Sequence, residues 1–344
     1  MVEPRRIALA LGSGGARGYA HIGAINELES RGFEVAGVAG SSMGALVGGV
    51  YAAGKLSEFT EWALSLTQFE VIRLLDPSIQ VAGAIRAEKI LDHIREILGD
   101  ITIEELPMPY VAIATDLVTG RAVWFQRGAV DTAIRASIAI PGVISPLLTH
   151  GRVLADGGIL DPLPVVATAG IDADLTIGIS LSGDAPGHDD WATPATPSDP
   201  GALNEWVGKI RRSAEQLSAP VTSVIERFAA TSADDEDEKA KAAVESAAET
   251  ENDEWPNLGR LDVMNRSLDV MQAALARYQR AGHPPDVLIE IPRTAGRTLD
   301  FHRAEELIEL GRNAAAKALD DAGLTGPAAS TSAAELTEPQ AVDA

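Results

Sequence analysis

Ser42 is the centre of Gly40-Ser41-Ser42-Met43-Gly44, a G-x-S-x-G pattern. In that pattern the serine sits on a tight turn, and the flanking glycines leave room for the backbone. Such a serine attacks acyl carbonyls when a neighbouring base takes its proton. A second cluster, Gly12-Ser13-Gly14-Gly15-Ala16-Arg17-Gly18, carries four glycines in seven residues. Its consecutive N–H groups could hold an anion. Two chemistries compete for this loop. One is a dinucleotide pyrophosphate, with Glu34 as the ribose-binding acid; the other is the oxyanion of a tetrahedral intermediate. Spacing disfavours the first, because Arg17 takes the last glycine position of G-x-G-x-x-G counted from Gly12. A third motif, Asp156-Gly157-Gly158, offers a carboxylate on a glycine turn.

These motifs need elements to hold them. The apolar run 7–11 is a buried strand that ends in Gly12, and residues 16–31 have helical spacing with Gly32 as the stop. Residues 35–39 are a strand and 43–53 a small-residue helix, which gives Ser42 its strand-to-helix turn. Helices are expected at 58–66, 87–98 and 130–139, and strands at 110–115, 122–125 and 175–181. The strand through Val153-Leu154 leads into Asp156. Strand and helix alternate, so the class is α/β with a mostly parallel central sheet flanked by helices. Glycine-bracketed turns at strand ends suit a single crevice.

Composition changes near Gly183. Residues 186–200 are rich in Pro, Asp, Thr and Ser, 204–228 have helical character, and 231–254 hold ten acidic and two basic residues. The acidic run lacks the apolar residues of a core and is expected to be disordered. A helix at 261–278, a strand at 287–291 and a helix at 304–322 follow. The β-branched run 287–291 needs a parallel sheet to join. The expected organisation is therefore a catalytic core at 5–182, a linker and acidic insertion at 183–258, a core-completing helix-strand-helix at 259–322, and a disordered tail at 323–344.

The formal net charge is −22 over 344 residues. Residues 1–182 carry 13 basic and 20 acidic side chains, and residues 183–344 carry 15 and 30. Nucleic acid is an unfavourable partner for such a chain, and so is tight electrostatic attachment to an anionic membrane. The sequence has no cysteine, which removes disulfides and thiolate chemistry. No stretch approaches the roughly 20 apolar residues of a membrane span, and no export signal is read at the N-terminus. A cytoplasmic protein, with transient contact at a membrane surface, is the expectation. Neither a metal nor another cofactor is called for, and oligomeric state is not legible.

The three motifs in this order resemble those of the patatin-like phospholipases, bacterial members above all. The resemblance extends to Ala20-His21-Ile22-Gly23, Ala114-Thr115-Asp116-Leu117 with Thr119-Gly120, residues 134–142, and Asp161-Pro162-Leu163-Pro164-Val165. It covers residues 5–182 closely and touches 284–322. It implies a three-layer fold and a two-residue site, with Ser42 as nucleophile and Asp156 as base, and no histidine. Gly14, Gly15 and Ala16 would supply oxyanion N–H groups. Arg17 matches the usual basic position, and Gly12, Gly18, Gly40, Gly44, Gly157 and Gly158 support the turns. Ser13 departs from the pattern, standing where many members have a third glycine. The implied substrate is a phospholipid, a lysophospholipid or another acyl ester.

Aspartate is a weak base near pKa ~3.9, so burial is expected to raise Asp156. A Ser-His-Asp triad is the mechanistic rival, and His188, His283 and His302 follow the acid as that order requires. His21 is expected to pack within its helix. Arg135 and Asp116 are expected to shape the crevice through an ion pair or hydrogen bonds. A catalytically silent binding protein of the same fold, or an acyltransferase, are the alternatives in function.

Overall fold

Apolar runs that the sequence marks as strands form the centre of one eight-stranded sheet. A computed structural model describes residues 4–74, 88–141, 143–183 and 260–324, which lie in one unit. The strands are β1 (Arg6–Leu11), β2 (Glu34–Ser41), β3 (Tyr110–Asp116), β4 (Arg121–Phe125), β5 (Leu147–Thr149), β6 (Arg152–Asp156), β7 (Leu175–Gly183) and β8 (Val287–Pro292). The helices are α1 (Ala20–Ser30), α2 (Met43–Ala52), α3 (Leu56–Ser65), α4 (Gln68–Leu74), α5 (Glu88–Leu98), α6 (Val130–Ser137), α7 (Arg260–Gly282) and α8 (Ala304–Asp321). The expected linker, helix and acidic run within 186–254 fall outside the described residues, as does the tail from 325.

Neighbouring strands run β5-β6-β3-β2-β1-β7-β8, with β4 also on β3. The pairs β2–β3, β1–β2, β1–β7 and β7–β8 are parallel. β4, β5 and β6 pair antiparallel at one side. β8, although it follows residue 260, joins β7 in parallel and completes the sheet.

Two registers on β3 fix the site. β2 pairs with residues 110–113 of β3, β6 with 114–116, and β4 with 112–116. β4 overlaps both of the others, so it must occupy the opposite edge of β3. β2 and β6 therefore share the remaining edge end to end. They run toward each other, and their C-terminal ends meet.

The helices are divided unequally between the faces. The main apolar cluster joins Leu9 and Leu11 of β1 to Ile22 and Ile25 of α1, Val47 of α2, Ile134 of α6 and Leu307 of α8. Each such side chain fully buried contributes roughly 1.5–3 kcal/mol. The other face carries a small cluster of Ala39, Val111, Ile113 and Ala167, the last from a 3-10 turn at Val166–Thr168. α7 packs against β7 and the Gly157–Ile159 turn. The fold is an α/β arrangement with an unequal third layer.

α1 and α8 approach unusually closely. A Cβ on Gly23 would strike the Ile308 carbonyl oxygen, and one on Gly311 would strike that of Ala20. The helix expected at 16–31 begins instead as a 3-10 turn at Gly15–Tyr19, and α1 starts at Ala20. Two glycines with non-helical φ at its head, Gly14 at 169° and Gly15 at +56°, explain the late start.

Candidate active site

β2 delivers Ser42 to the head of α2. Every residue of α2 except Tyr51 is buried, as expected of a helix that is apolar all round. The entry turn is tight: a Cβ on Gly40 would meet the Gly44 carbonyl, and one on Gly44 would meet that of Leu11. Ser42 has φ 56° and ψ −123°. It is one of two non-glycine residues at positive φ among those described. Such a conformation costs about 1–3 kcal/mol and persists only where surrounding contacts hold it.

β6 delivers Asp156 from the opposite direction. The Ser42 hydroxyl donates a hydrogen bond to Asp156 Oδ2. Asp156 Oδ1 accepts the Gly158 N–H at 2.7 Å. Ser42 and Asp156 are each 2% exposed. Burial pushes the Asp156 carboxyl up to about 7, against the opposing pull of its hydrogen bonds from Ser42 and Gly158. The group is thus partly ionised near neutrality, as a general base requires. The glycine turn is enforced by crowding. A Cβ on Gly157 would strike the Ile113 carbonyl, and one on Gly158 would strike the Ser13 side chain.

The glycine loop after β1 reaches the same place. Ser13, Gly14, Gly15, Ile140, Asp156 and Leu268 line one small cleft. Gly12 donates its N–H to Ile179 O at 3.0 Å, and Ser13 donates to Pro162 O at 2.8 Å. Ser13 is not among the residues at positive φ, so the departure from glycine strains nothing. No hydrogen bond among the described residues engages the N–H of Gly14 or Gly15. Ala16 differs from expectation. Its N–H is donated to Thr298 O at 2.9 Å, which leaves it no proton to offer an oxyanion.

Two side chains hold this loop. Arg17, 3% exposed, donates to the carbonyl oxygens of Gly14, Leu181 and Arg293 at 3.1, 3.1 and 3.2 Å. Its remaining nitrogen pairs with Asp269 of α7 at 2.9 Å. The usual basic position is therefore a clamp between the loop, β7 and α7. His21 is fully buried, with Nε2 2.8 Å from Gly12 O. A carbonyl only accepts, so Nε2 carries the proton. Burial lowers the imidazole pKa to about 4 and keeps it neutral. Gly18 packs directly on the Met43 side chain.

The rival readings lose their geometry. Glu34 begins β2, level with Arg6, with its carboxylate 3.8 Å from the Arg6 guanidinium. A ribose-binding acid belongs at the other end of that strand. His283 and His302 are exposed, and neither hydrogen-bonds to Ser42 or Asp156. His188 lies outside the described residues. Asp116 accepts from the Val118 N–H and the Thr119 hydroxyl in the β3–β4 turn, while Arg135 donates to Ser145 O.

Sequence reasoning misses Ser137, the last residue of α6. Its hydroxyl accepts the Ser42 N–H at 2.8 Å and donates to Ile113 O at 2.5 Å. Nothing marks it locally except its place in the 134–142 stretch. Among the described residues no group of three His, Asp or Glu side chains gathers as a metal site. No helix among them is long and apolar enough to cross a membrane.

Residues 9–169, which include all three motifs, match the family profile described as patatin-like phospholipase. An uncharacterised NTE family protein of Mycobacterium tuberculosis is 52% identical over 337 residues, spanning 92% of this chain and 91% of its own. A lysophospholipase of Emericella nidulans is 31% identical over 192 residues, 52% of this chain and 12% of that protein. Patatin-like phospholipase domain-containing protein 6 of Mus musculus is 32% identical over 182 residues, 51% and 13% of the respective chains.

Proposed function

Because the chain belongs to the patatin-like phospholipase family, we propose that it hydrolyses acyl esters of phospholipids or lysophospholipids through a Ser42–Asp156 dyad. One observation carries this reading: the hydroxyl of a serine on a strained strand-to-helix turn donates to a buried carboxylate whose pKa is raised to about 7. The relatives named for lysophospholipase and phospholipase domains support the substrate class.

The reaction runs in two halves. Asp156 Oδ2 takes the Ser42 proton as Oγ bonds to the ester carbonyl carbon, and the carbonyl oxygen becomes an oxyanion. The N–H groups of Gly14 and Gly15 lie beside the cleft to receive that charge, and a well-placed donor supplies roughly 3 kcal/mol. Collapse breaks the ester C–O bond, and the leaving alkoxide takes the proton from Asp156. Water then gives a proton to Asp156 and attacks the acyl-serine. Ser42 leaves and recovers that proton, releasing the fatty acid.

The test is release of fatty acid from vesicles of phosphatidylcholine and from lysophosphatidylcholine by the purified full chain, beside Ser42→Ala. Turnover by the wild type and its loss in the variant are expected. Equal rates in the two proteins would overturn the assignment.

A further inference from the structure

We propose that Ser137 is a positioning residue for the nucleophile, and that the end of α6 anchors both members of the dyad to one short segment. This rests on Ser42 and Asp156 forming the reactive pair. Ser137 is fully buried, so no water competes for its hydroxyl. Ile113 O can only accept, which commits the Ser137 proton to it and turns a lone pair toward the Ser42 N–H. Two residues on, Ala139 O accepts the Asp156 N–H at 2.9 Å. One stretch of three residues therefore grips the backbone N–H of the nucleophile and that of the base, which are otherwise on different strands.

Ser137 also decides which groups are left for the substrate. The N–H of a nucleophilic serine often serves as an oxyanion donor. Here that N–H is spent on Ser137, so Ser42 contributes its hydroxyl alone and oxyanion binding falls to other donors. The same segment continues into Ile140 and Pro141, which line the cleft. The wall that meets an acyl chain is thus continuous with the anchor of the dyad.

The experiment compares Ser137→Ala, Ser137→Thr and Ser137→Cys in the full chain. Hydrolysis of p-nitrophenyl butyrate gives kcat and KM. The rate at which a fluorophosphonate probe labels the protein reports Ser42 directly, and thermal unfolding reports the fold. Ser137→Ala is expected to lower kcat and the labelling rate together by about 10- to 100-fold, the scale of a small misplacement at a reacting centre. KM should stay within about twofold, and the pH–rate limb should move upward as Ser42 Oγ loosens from Asp156. Ser137→Thr keeps a hydroxyl and should recover most of the loss. Ser137→Cys keeps the volume but weakens the hydrogen bonds, and stands in for the alanine variant if that fails to fold. A folded Ser137→Ala or Ser137→Cys with wild-type labelling and an unmoved pH limb overturns the proposal, even with a lowered Tm. A wild type that the probe does not label, or a Ser42→Ala protein labelled as fast, would remove the underlying dyad instead.

Discussion

Ser42 and Asp156 lie 114 residues apart in the chain and share a hydrogen bond because β2 and β6 run toward each other along one edge of β3. Burial at that junction is what raises the Asp156 carboxyl. The proposed mechanism needs the carboxylate, and its pKa is raised to about 7. The pH profile of kcat/KM should therefore rise through about pH 7 to a plateau. A limb in the ordinary carboxylate range, near ~4, would show that Asp156 is not the titrating base. Asp156→Asn should lose about 10²–10⁴-fold in kcat.

The histidines that follow the acid should be dispensable. His283 and His302 are exposed and bond to neither dyad member. His283→Ala and His302→Ala are each expected to keep kcat within about twofold on a soluble ester. A tenfold loss in either, with Tm unchanged, would return a triad to consideration.

Two glycines of similar crowding should fail in different ways. Gly44→Ala, two residues from Ser42, pushes a methyl into the Leu11 carbonyl, whereas Gly311→Ala pushes one into the Ala20 carbonyl where α8 meets α1. Both should lose about 1–3 kcal/mol or more of stability, as overpacked sites do. Only Gly44→Ala should also lower kcat per folded molecule. Thermal melts paired with active-site titration separate the two effects.

Arg17→Lys should not rescue Arg17. A lysine places one compact charge where a planar fork now serves three carbonyls and Asp269. Leaving buried carbonyls unpaired is expected to cost about 1–3 kcal/mol, with a matching fall in kcat as the Gly14 carbonyl loses its tether. Asp269→Asn removes only a partly exposed partner and should cost about 1 kcal/mol or less. Urea titrations of the two variants would reverse this order if α7, rather than the loop, depended on the pair.

Stability should vary with pH in the sense opposite to an ordinary salt-bridged acid. Burial raises Asp156 to about 7 and Asp161 to about 6. Both then hold a proton more tightly folded than unfolded, where the value is about 3.9. Their stabilising contribution is complete below about pH 4 and is lost as pH rises through 6 and 7. The slope is about 1.4 kcal/mol per pH unit for each group. The difference in unfolding free energy between wild type and Asp156→Asn, measured from pH 4 to 8, should follow this decline. A flat difference would deny the shift.

Much of the site is legible locally. The glycines around Ser42 and after Asp156 announce turns, and the strands of β1, β2 and β3 follow from apolar runs buried on both faces. What the sequence hides is relational. The antiparallel course of β6 depends on which edge of β3 is free, and β5 is three residues long, too short for a periodic signal. Ala16 looks like a donor until Thr298, 282 positions away, is seen to take its N–H. Ser137 is one serine in a helix, and only the approach of β2 and β3 gives its hydroxyl a task. Apart from Gly14, the partners of Arg17 lie 164 to 276 residues distant, beyond the reach of any spacing rule.

The clamp on the glycine loop also sets an order in time. On the ribosome Ser42 emerges roughly 250 residues ahead of Thr298, about 13–50 s at ordinary elongation rates. Through that interval the loop bearing Gly14 and Gly15 lacks the Thr298 carbonyl that holds the Ala16 N–H and the Arg293 carbonyl that holds the Arg17 side chain. Under the proposed mechanism a nascent chain thus carries Ser42 early and the geometry to use it late, and an interrupted translation product would hold an unarmed serine.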